Sequence, residues 1–146
     1  MTYQAIINGS RGIVYFGGHL PQAWNKRDQE LGWNWSYWEK VLERVVREIG
    51  PESELGKALV AEESKIKVTA SSPEIELCVR EVGEEIFLIA CKREGATVEV
   101  KFSGLPQVKE EGEVVYEDPR KVSIKGGEFK DWFGPYEVHV YRFAPH

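Results

Sequence analysis

From Ser64 onward the sequence alternates apolar and polar residues with period two and is cut at short intervals by glycine. This one feature confines that part of the chain to an antiparallel all-β class. The predicted strands are Lys65–Ala70, Glu74–Glu81, Ile86–Arg93, Thr97–Ser103, Gly112–Glu117, Lys121–Lys125, Glu128–Phe133 and Tyr136–Phe143. Gly83, Gly95 and the Gly126-Gly127 pair fall between them, where hairpin turns need positive φ. Short strands so spaced indicate a sandwich or a barrel, and the reading adopted for residues 61–146 is an antiparallel β-sandwich.

Residues 1–60 have a different character, helical and aromatic, and form a strand–loop–helix segment that precedes the sandwich. Thr2–Asn8 reads as a helical turn ended by glycines, and Ile13–Phe16 as a strand that is apolar on both faces. A long loop follows, from Gly18 to Trp35. The clearest helix spans Tyr37–Ile49, because Trp38, Val41, Leu42, Val45, Val46 and Ile49 repeat at helical spacing and make one apolar stripe. Ser36 with Glu39 fits a capping box, Gly50-Pro51 marks the other end, and a short helix is expected near Ser53–Leu59. On its helical phase Trp38 is assigned to the core.

Composition then excludes whole classes of function. A chain of 146 residues holds one domain, or a small domain with an appendage, and is too short for a complete eightfold β/α barrel, which needs about 250 residues. The net charge of -5 is spread along the chain without a basic arm, which argues against nucleic acid or an anionic membrane as the main partner. No segment approaches the roughly 20 apolar residues of a membrane helix, and the first ten lack the pattern of a signal peptide. The chain reads as soluble, with its compartment open. Glu outnumbers Asp by 21 to 3, a bias of heat-adapted proteins. The thiols of Cys78 and Cys91 are expected to be free: a Gly83-Glu84 turn of type II′ sets Cys78 opposite Ile89 and leaves Cys91 a diagonal neighbour, beyond disulfide span.

Four of the five tryptophans lie between Trp24 and Trp38, interleaved with Asn25, Arg27, Asp28, Gln29, Glu30 and Asn34. Flat rings beside amides and charges suit a sugar, whose C–H faces stack on aromatics and whose hydroxyls need polar partners. The candidate carbohydrate-binding residues are His19, Trp24, Trp33 and Trp35, with plain packing kept open for Trp24, Trp33 and Trp35. Asp28 and Glu30 are the one close carboxylate pair of the loop and hence the candidate acid and base of a glycosidase, against the plainer reading of a solvated acidic pair. His19 has no partner at metal-ligand spacing, so no metal is expected. Phosphate loops, dinucleotide fingerprints and paired CxxC motifs are absent from the sequence, so no cofactor is expected.

Two stretches together resemble a known family. Thr2-Tyr3-Gln4-Ala5-Ile6-Ile7-Asn8-Gly9-Ser10-Arg11-Gly12-Ile13-Val14-Tyr15-Phe16-Gly17-Gly18-His19 resembles the last helix-to-strand passage of (β/α)-barrel glycoside hydrolase-like proteins, and Trp38–Ile49 resembles the eighth barrel helix. Phe129–Phe143, which includes Asp131-Trp132-Phe133-Gly134-Pro135-Tyr136, resembles the closing strands of the β-sandwich that often follows such barrels. The resemblance implies a noncatalytic C-terminal module that supports a barrel and contacts carbohydrate. It also implies that the loop after the eighth strand, with His19, Trp24, Asp28, Trp33 and Trp35, borders a sugar site. Seven barrel strands and the usual catalytic acids are missing, so the implied partner of residues 1–50 is the absent barrel or a second copy of the chain. The alternatives are an independent carbohydrate-binding module and a glycosidase using Asp28 and Glu30.

Overall fold

The computed structural model describes residues 1–15, 26–30 and 38–146, the side chain of Asp28 excepted. The chain divides into two compact units, one made of Met1–Arg11 with Ala58–His146, the other of Gly12–Lys57.

The first unit is an antiparallel β-sandwich. Its strands are β1 (Thr69–Ala70), β2 (Ile75–Val82), β3 (Glu85–Lys92), β4 (Val98–Ser103), β5 (Glu111–Val115), β6 (Arg120–Ser123), β7 (Glu128–Phe133) and β8 (Val138–Phe143). They form a five-stranded sheet ordered β2-β3-β8-β5-β6 and a three-stranded sheet ordered β1-β4-β7. All eight expected strands are present. Most of the first one is not paired: only Thr69 and Ala70 meet β4, opposite Ser103 and Phe102. Val82 pairs with Glu85 around Gly83 at φ +61, and Cys78 stands opposite Ile89, the anticipated register. Both cysteines are free and buried. The Gly126-Gly127 turn has positive φ at both residues, 59° and 76°, as a type I′ turn requires. It carries the chain from one sheet to the other.

The core lies between the inward faces of the two sheets. Phe102 and Phe129 stack at 4.8 Å, and Tyr141 of the opposite sheet meets Phe129 edge-on at 4.9 Å. Phe133, Phe143, Val100, Leu88 and Val114 complete a contiguous cluster. Such ring pairs contribute about 0.5–1.5 kcal/mol each beyond the area they bury.

Burial departs from period two in β2, β8 and most completely in β3, where the physical reason is plain. β3 is buried on both faces, from Ile86 through Lys92. Leu88 and Ala90 point into the sandwich, while α1 (Thr2–Ile7), packed against β2 and β3, brings buried Tyr3 and Ile6 to the outer side of the sheet. Full burial of side chains of this size stabilises by about 1.5–3 kcal/mol apiece. Arg11, just beyond this helix, donates to the carbonyls of Leu59 (2.9 Å) and Ala61 (2.6 Å). The N-terminal helix is therefore part of the sandwich unit.

The second unit holds α2 (Lys26–Glu30), a π-helical turn Trp38–Leu42 that runs on into α3 (Glu43–Ile49), and the start of α4 (Glu54–Val60). The strand expected at Ile13–Phe16 is not formed in its described part. Ile13, Val14 and Tyr15 are not in a strand, and Val14 is 95% exposed. A run of strand length becomes a strand only when another backbone pairs with it. Trp38 departs from the core assignment too, at 36% exposed, and Val41 is also exposed. The π turn, with its i→i+5 winding, takes these residues off the 3.6-residue phase from which the stripe was read. Gly50 is extended (φ -69, ψ 162) rather than left-handed, because Pro51 drives the residue before it out of the helical region. Ser53 Oγ then accepts from Gly56 N at 2.8 Å and starts α4. Among the described residues, no helix is long and apolar enough to cross a membrane.

Two glycines separate the cost of close approach from that of backbone conformation. A Cβ on Gly104 (φ +103) would lie 2.2 Å from the Lys67 carbonyl oxygen, whereas one on Gly126 (φ +59) would meet nothing within 4 Å. Gly104→Ala should cost about 3 kcal/mol or more in denaturant unfolding, and Gly126→Ala about 1 kcal/mol. Equal losses would contradict the close approach at Lys67.

Candidate functional site

His19, Trp24, Trp33 and Trp35 lie outside the described residues. Asp28 belongs to α2 but its side chain is not described; Glu30 is exposed at the end of the same helix. No described contact joins Glu30 to a partner. Metal ligation has no candidate in the described residues: no group of three or more His, Cys, Asp and Glu side chains is placed to hold an ion.

What the structure does bring together is a polar cluster at the end of the sandwich where the β5–β6 and β7–β8 connections lie. Alternation along β7 turns Phe129, Asp131 and Phe133 inward, and alternation along β8 does the same for His139, Tyr141 and Phe143. Three of these are polar-tipped and sit at the margin of the core. Asp131 accepts from Arg120 Nη1 at 2.9 Å, from the Tyr141 hydroxyl at 2.7 Å and from its neighbour's amide, Trp132 N, at 2.9 Å. Arg120 also meets Glu117 at 2.9 Å. His139 is buried, with both ring nitrogens facing acceptors: Glu117 Oε2 lies 2.9 Å from Nδ1 and the Trp132 carbonyl 3.1 Å from Nε2.

Burial weakens the hold of the Arg120 guanidinium on its proton, but the hydrogen bond and charge of Asp131, with the charge of Glu117, outweigh this and raise its pKa. Tyr141 is raised as well, first by burial and then by the neighbouring Asp131 charge, so its phenol stays protonated. Two tyrosines beside the cluster, Tyr116 (φ +67) and Tyr136 (φ +63), occupy the left-handed region. That conformation costs a residue with a Cβ about 1–2 kcal/mol.

The sequence analysis missed this cluster, although one signal for it stands in β7 as a break of pattern. A polar residue at the inward parity of a core strand, Asp131 between Phe129 and Phe133, needs a partner inside the protein. The partner at Arg120 is separated from it by a turn and a change of sheet, which no local pattern reveals.

The remaining features are surface grooves and thiols. One groove, of about 290 Å³, is lined by Glu85, Glu111, Glu113, Lys121 and Arg142. Arg142 pairs there with Glu113 at 2.5 Å and Lys121 with Glu111 at 2.7 Å, so both of these cations are paired within the lining. The Cys91 thiol is pushed up to about 11, first by burial and then by Glu76. Cys78 is raised by burial, partly offset by Arg80. Neither is a nucleophile at neutral pH.

No family model matches the chain, and neither does any curated protein. Solved structures resemble it in part. An endoxylanase of glycoside hydrolase family 30 from Clostridium papyrosolvens C71 aligns with 51% of the chain at TM-score 0.43 and 10% identity, over 21% of its own length. An Anoxybacillus α-amylase aligns with 56% of the chain at TM-score 0.43 and 19% identity, over 18% of its length. A family 30 subfamily 8 xylanase from Clostridium acetobutylicum aligns with 50% at TM-score 0.41 and 12% identity, over 21% of its length. The match spans about a fifth of each enzyme.

The cluster is testable as a unit. Asp131→Ala should cost about 2–3 kcal/mol, less than a fully buried pair would, since Arg120 is 35% exposed. Tyr141→Phe should cost about 1 kcal/mol, and the double variant less than the sum. Additive losses in urea unfolding would mean that the two residues do not act together. For the thiols, a disulfide reagent at pH 8 finds roughly one thiolate in a thousand at Cys91, so modification of the native protein should be slow and should speed up in urea. Rapid stoichiometric labelling of both cysteines without denaturant would contradict their burial.

Proposed function

We propose that the chain is a noncatalytic β-sandwich module of a glycoside hydrolase-like protein, which supports a (β/α) barrel and adds carbohydrate contacts to it. The observation that supports this most directly is the position of Phe129–Phe143. The stretch that resembles the closing strands of a post-barrel sandwich forms β7 in one sheet and β8 in the other, and its aromatic residues make the centre of the core. The chemistry of the interior supports a noncatalytic role. The inward carboxylate Asp131 and the neighbouring Glu117 are held by Arg120, Tyr141 and His139, so both are committed to the fold rather than offered to a substrate.

On this reading residues 1–50 meet the barrel or, in its absence, a second copy of the chain. Exposed Val14 and Val41 supply apolar surface for either partner. The purified chain should therefore sediment as a dimer or larger species at micromolar concentration; a strictly monomeric profile would remove the self-association. It should be inactive on aryl glycosides. Hydrolysis that disappears in Asp28→Asn or Glu30→Gln would replace the module reading with an enzyme. Sugar contact through the Trp loop predicts retention by soluble polysaccharides in affinity electrophoresis, with loss of retention in Trp24→Ala and Trp33→Ala.

A further inference from the structure

We infer that the guanidinium of Arg80 anchors a small-oxyanion site on the outer face of the five-stranded sheet, at the edge of β2. The inference is independent of the proposed function and rests on a charge that the fold buries and leaves uncompensated. Arg80, Lys92 and His139 are the buried basic side chains among the described residues. Lys92 Nζ has Glu74 Oε2 at 2.8 Å, and His139 Nδ1 has Glu117 Oε2 at 2.9 Å. Arg80, at 4% exposed, has no carboxylate. Its Nη1 donates to the Val79 carbonyl at 3.2 Å, its Nε is buried without a hydrogen-bond partner, and its Nη2 has none among the described residues. Even the one bond is shared, because the same carbonyl accepts from Ser64 N at 3.3 Å. Buried polar groups rarely go unpaired, and an isolated buried charge is among the most costly features a fold can carry.

The placement of the group narrows what satisfies it. Arg80 stands opposite Phe87 and Cys78 opposite Ile89, on the face turned away from the sandwich core. The Val79 carbonyl that Ser64 reaches points away from β3. The guanidinium that also reaches it therefore lies over the open edge of β2, beside Glu63 and Ser64. Glu63 is directly opposite Arg80 and is the candidate counter-ion within the chain, yet it is exposed and forms no ion pair with the guanidinium. With Nη1 taken, the free donors are Nε and Nη2, which form one edge of the fork. Two parallel donors on a planar cation match the paired oxygens of a carboxylate, phosphate or sulfate at about 2.7–2.9 Å, and a spherical halide or a neutral hydroxyl matches only one of them. Nε is shut off from solvent, which favours a small free anion over a side chain presented by another protein. Charge neutralised where water screens weakly counts for more than on an exposed arginine. Entry is by way of Glu63 and Ser64, an isolated bridge rather than a strand, whose Ser64 amide bond to Val79 is 3.3 Å long.

The test follows the melting temperature of the full chain as sodium phosphate or sodium acetate replaces sodium chloride at constant ionic strength, in the wild type, Arg80→Met, Arg80→Lys and Glu63→Gln. Phosphate should raise the wild-type melting temperature saturably, by about 3 °C or more at about twenty times the half-saturating concentration. Calorimetric titration should count one phosphate per chain, and acetate should act in the same way because it offers the same pair of oxygens. Arg80→Met keeps the apolar stem and removes the charge. It should lose the response, and in chloride it should melt at or above the wild-type temperature, the reverse of what breaking a satisfied ion pair does. Arg80→Lys keeps the charge without the fork and should need at least about fivefold more phosphate for half the effect. Glu63→Gln should need less phosphate, because a repelling charge is gone. A response equal in wild type and Arg80→Met would mean exclusion of phosphate from the whole surface and would overturn the site, as would a wild type that does not respond. A lower melting temperature in Glu63→Gln that vanishes when Arg80→Met is added would make Glu63 the counter-ion and overturn it too. Arg80→Lys and the titration of the wild type decide the matter even if Arg80→Met does not fold.

Discussion

Asp131 is the interaction on which the arrangement of the two sheets depends. It belongs to β7 in the three-stranded sheet, and it bonds to Arg120 of β6 and Tyr141 of β8, both in the five-stranded sheet. Hydrophobic packing between two sheets is non-directional and tolerates sliding by a fraction of a residue. A carboxylate with a guanidinium on one side and a phenol on the other does not, because its hydrogen bonds have fixed lengths and directions and lose most of their strength when stretched. The aromatic core supplies the larger share of stability, and this staple selects one register of the packing.

The staple also accounts for the contrast between the two ends of the β7–β8 segment. At the far end Phe129 and Phe143 are buried at 5.5 Å from one another, and nothing polar intrudes. At the near end the interior turns polar within a few residues, and the residues just outside it are Trp132 and Tyr136, exposed and tied down. A network that must hold Arg120, Glu117 and His139 at the margin of the core also orders the backbone next to them. The same residues therefore specify the sheet packing and stiffen the most aromatic part of the sandwich surface.

Much of the fold was legible in the sequence because sheet formation is written in period two and in glycine. The hairpin register at Gly83 followed from turn chemistry, and with it the separation of Cys78 from Cys91. Legibility ended where the physics became nonlocal. Residues 65–68 have strand character, yet only Thr69 and Ala70 find a partner backbone, and the chain there passes so close to Gly104 that a Cβ would collide with Lys67. β3 was read as one more strand with period two, although Ile86–Cys91 is a continuous apolar run that needs cover on both faces. In the described part of the N-terminal run, Ile13–Tyr15, no strand is formed. Of the candidate site, only Glu30 and the backbone of Asp28 fall within the described residues, so the legible part was chemical type and not geometry.

The position of α1 bears on how the resemblance to barrel proteins is to be understood. In that resemblance Thr2–Asn8 is the end of a barrel helix and should bury its apolar side against barrel strands. In the structure Tyr3 and Ile6 are instead buried where α1 lies on β2 and β3, over an outer sheet face that contains Phe87, Ile89 and the two cysteines. One short helix with two buried side chains cannot cover both surfaces. If the proposed barrel partner is present, either the sandwich keeps α1 or α1 leaves and exposes Phe87 and Ile89 to a replacement. The bonds from Arg11 to Leu59 and Ala61 favour the first arrangement, because release of α1 would also release two carbonyls that the guanidinium now satisfies. The sandwich unit is therefore defined by both of its faces, and its N-terminal helix is part of that definition.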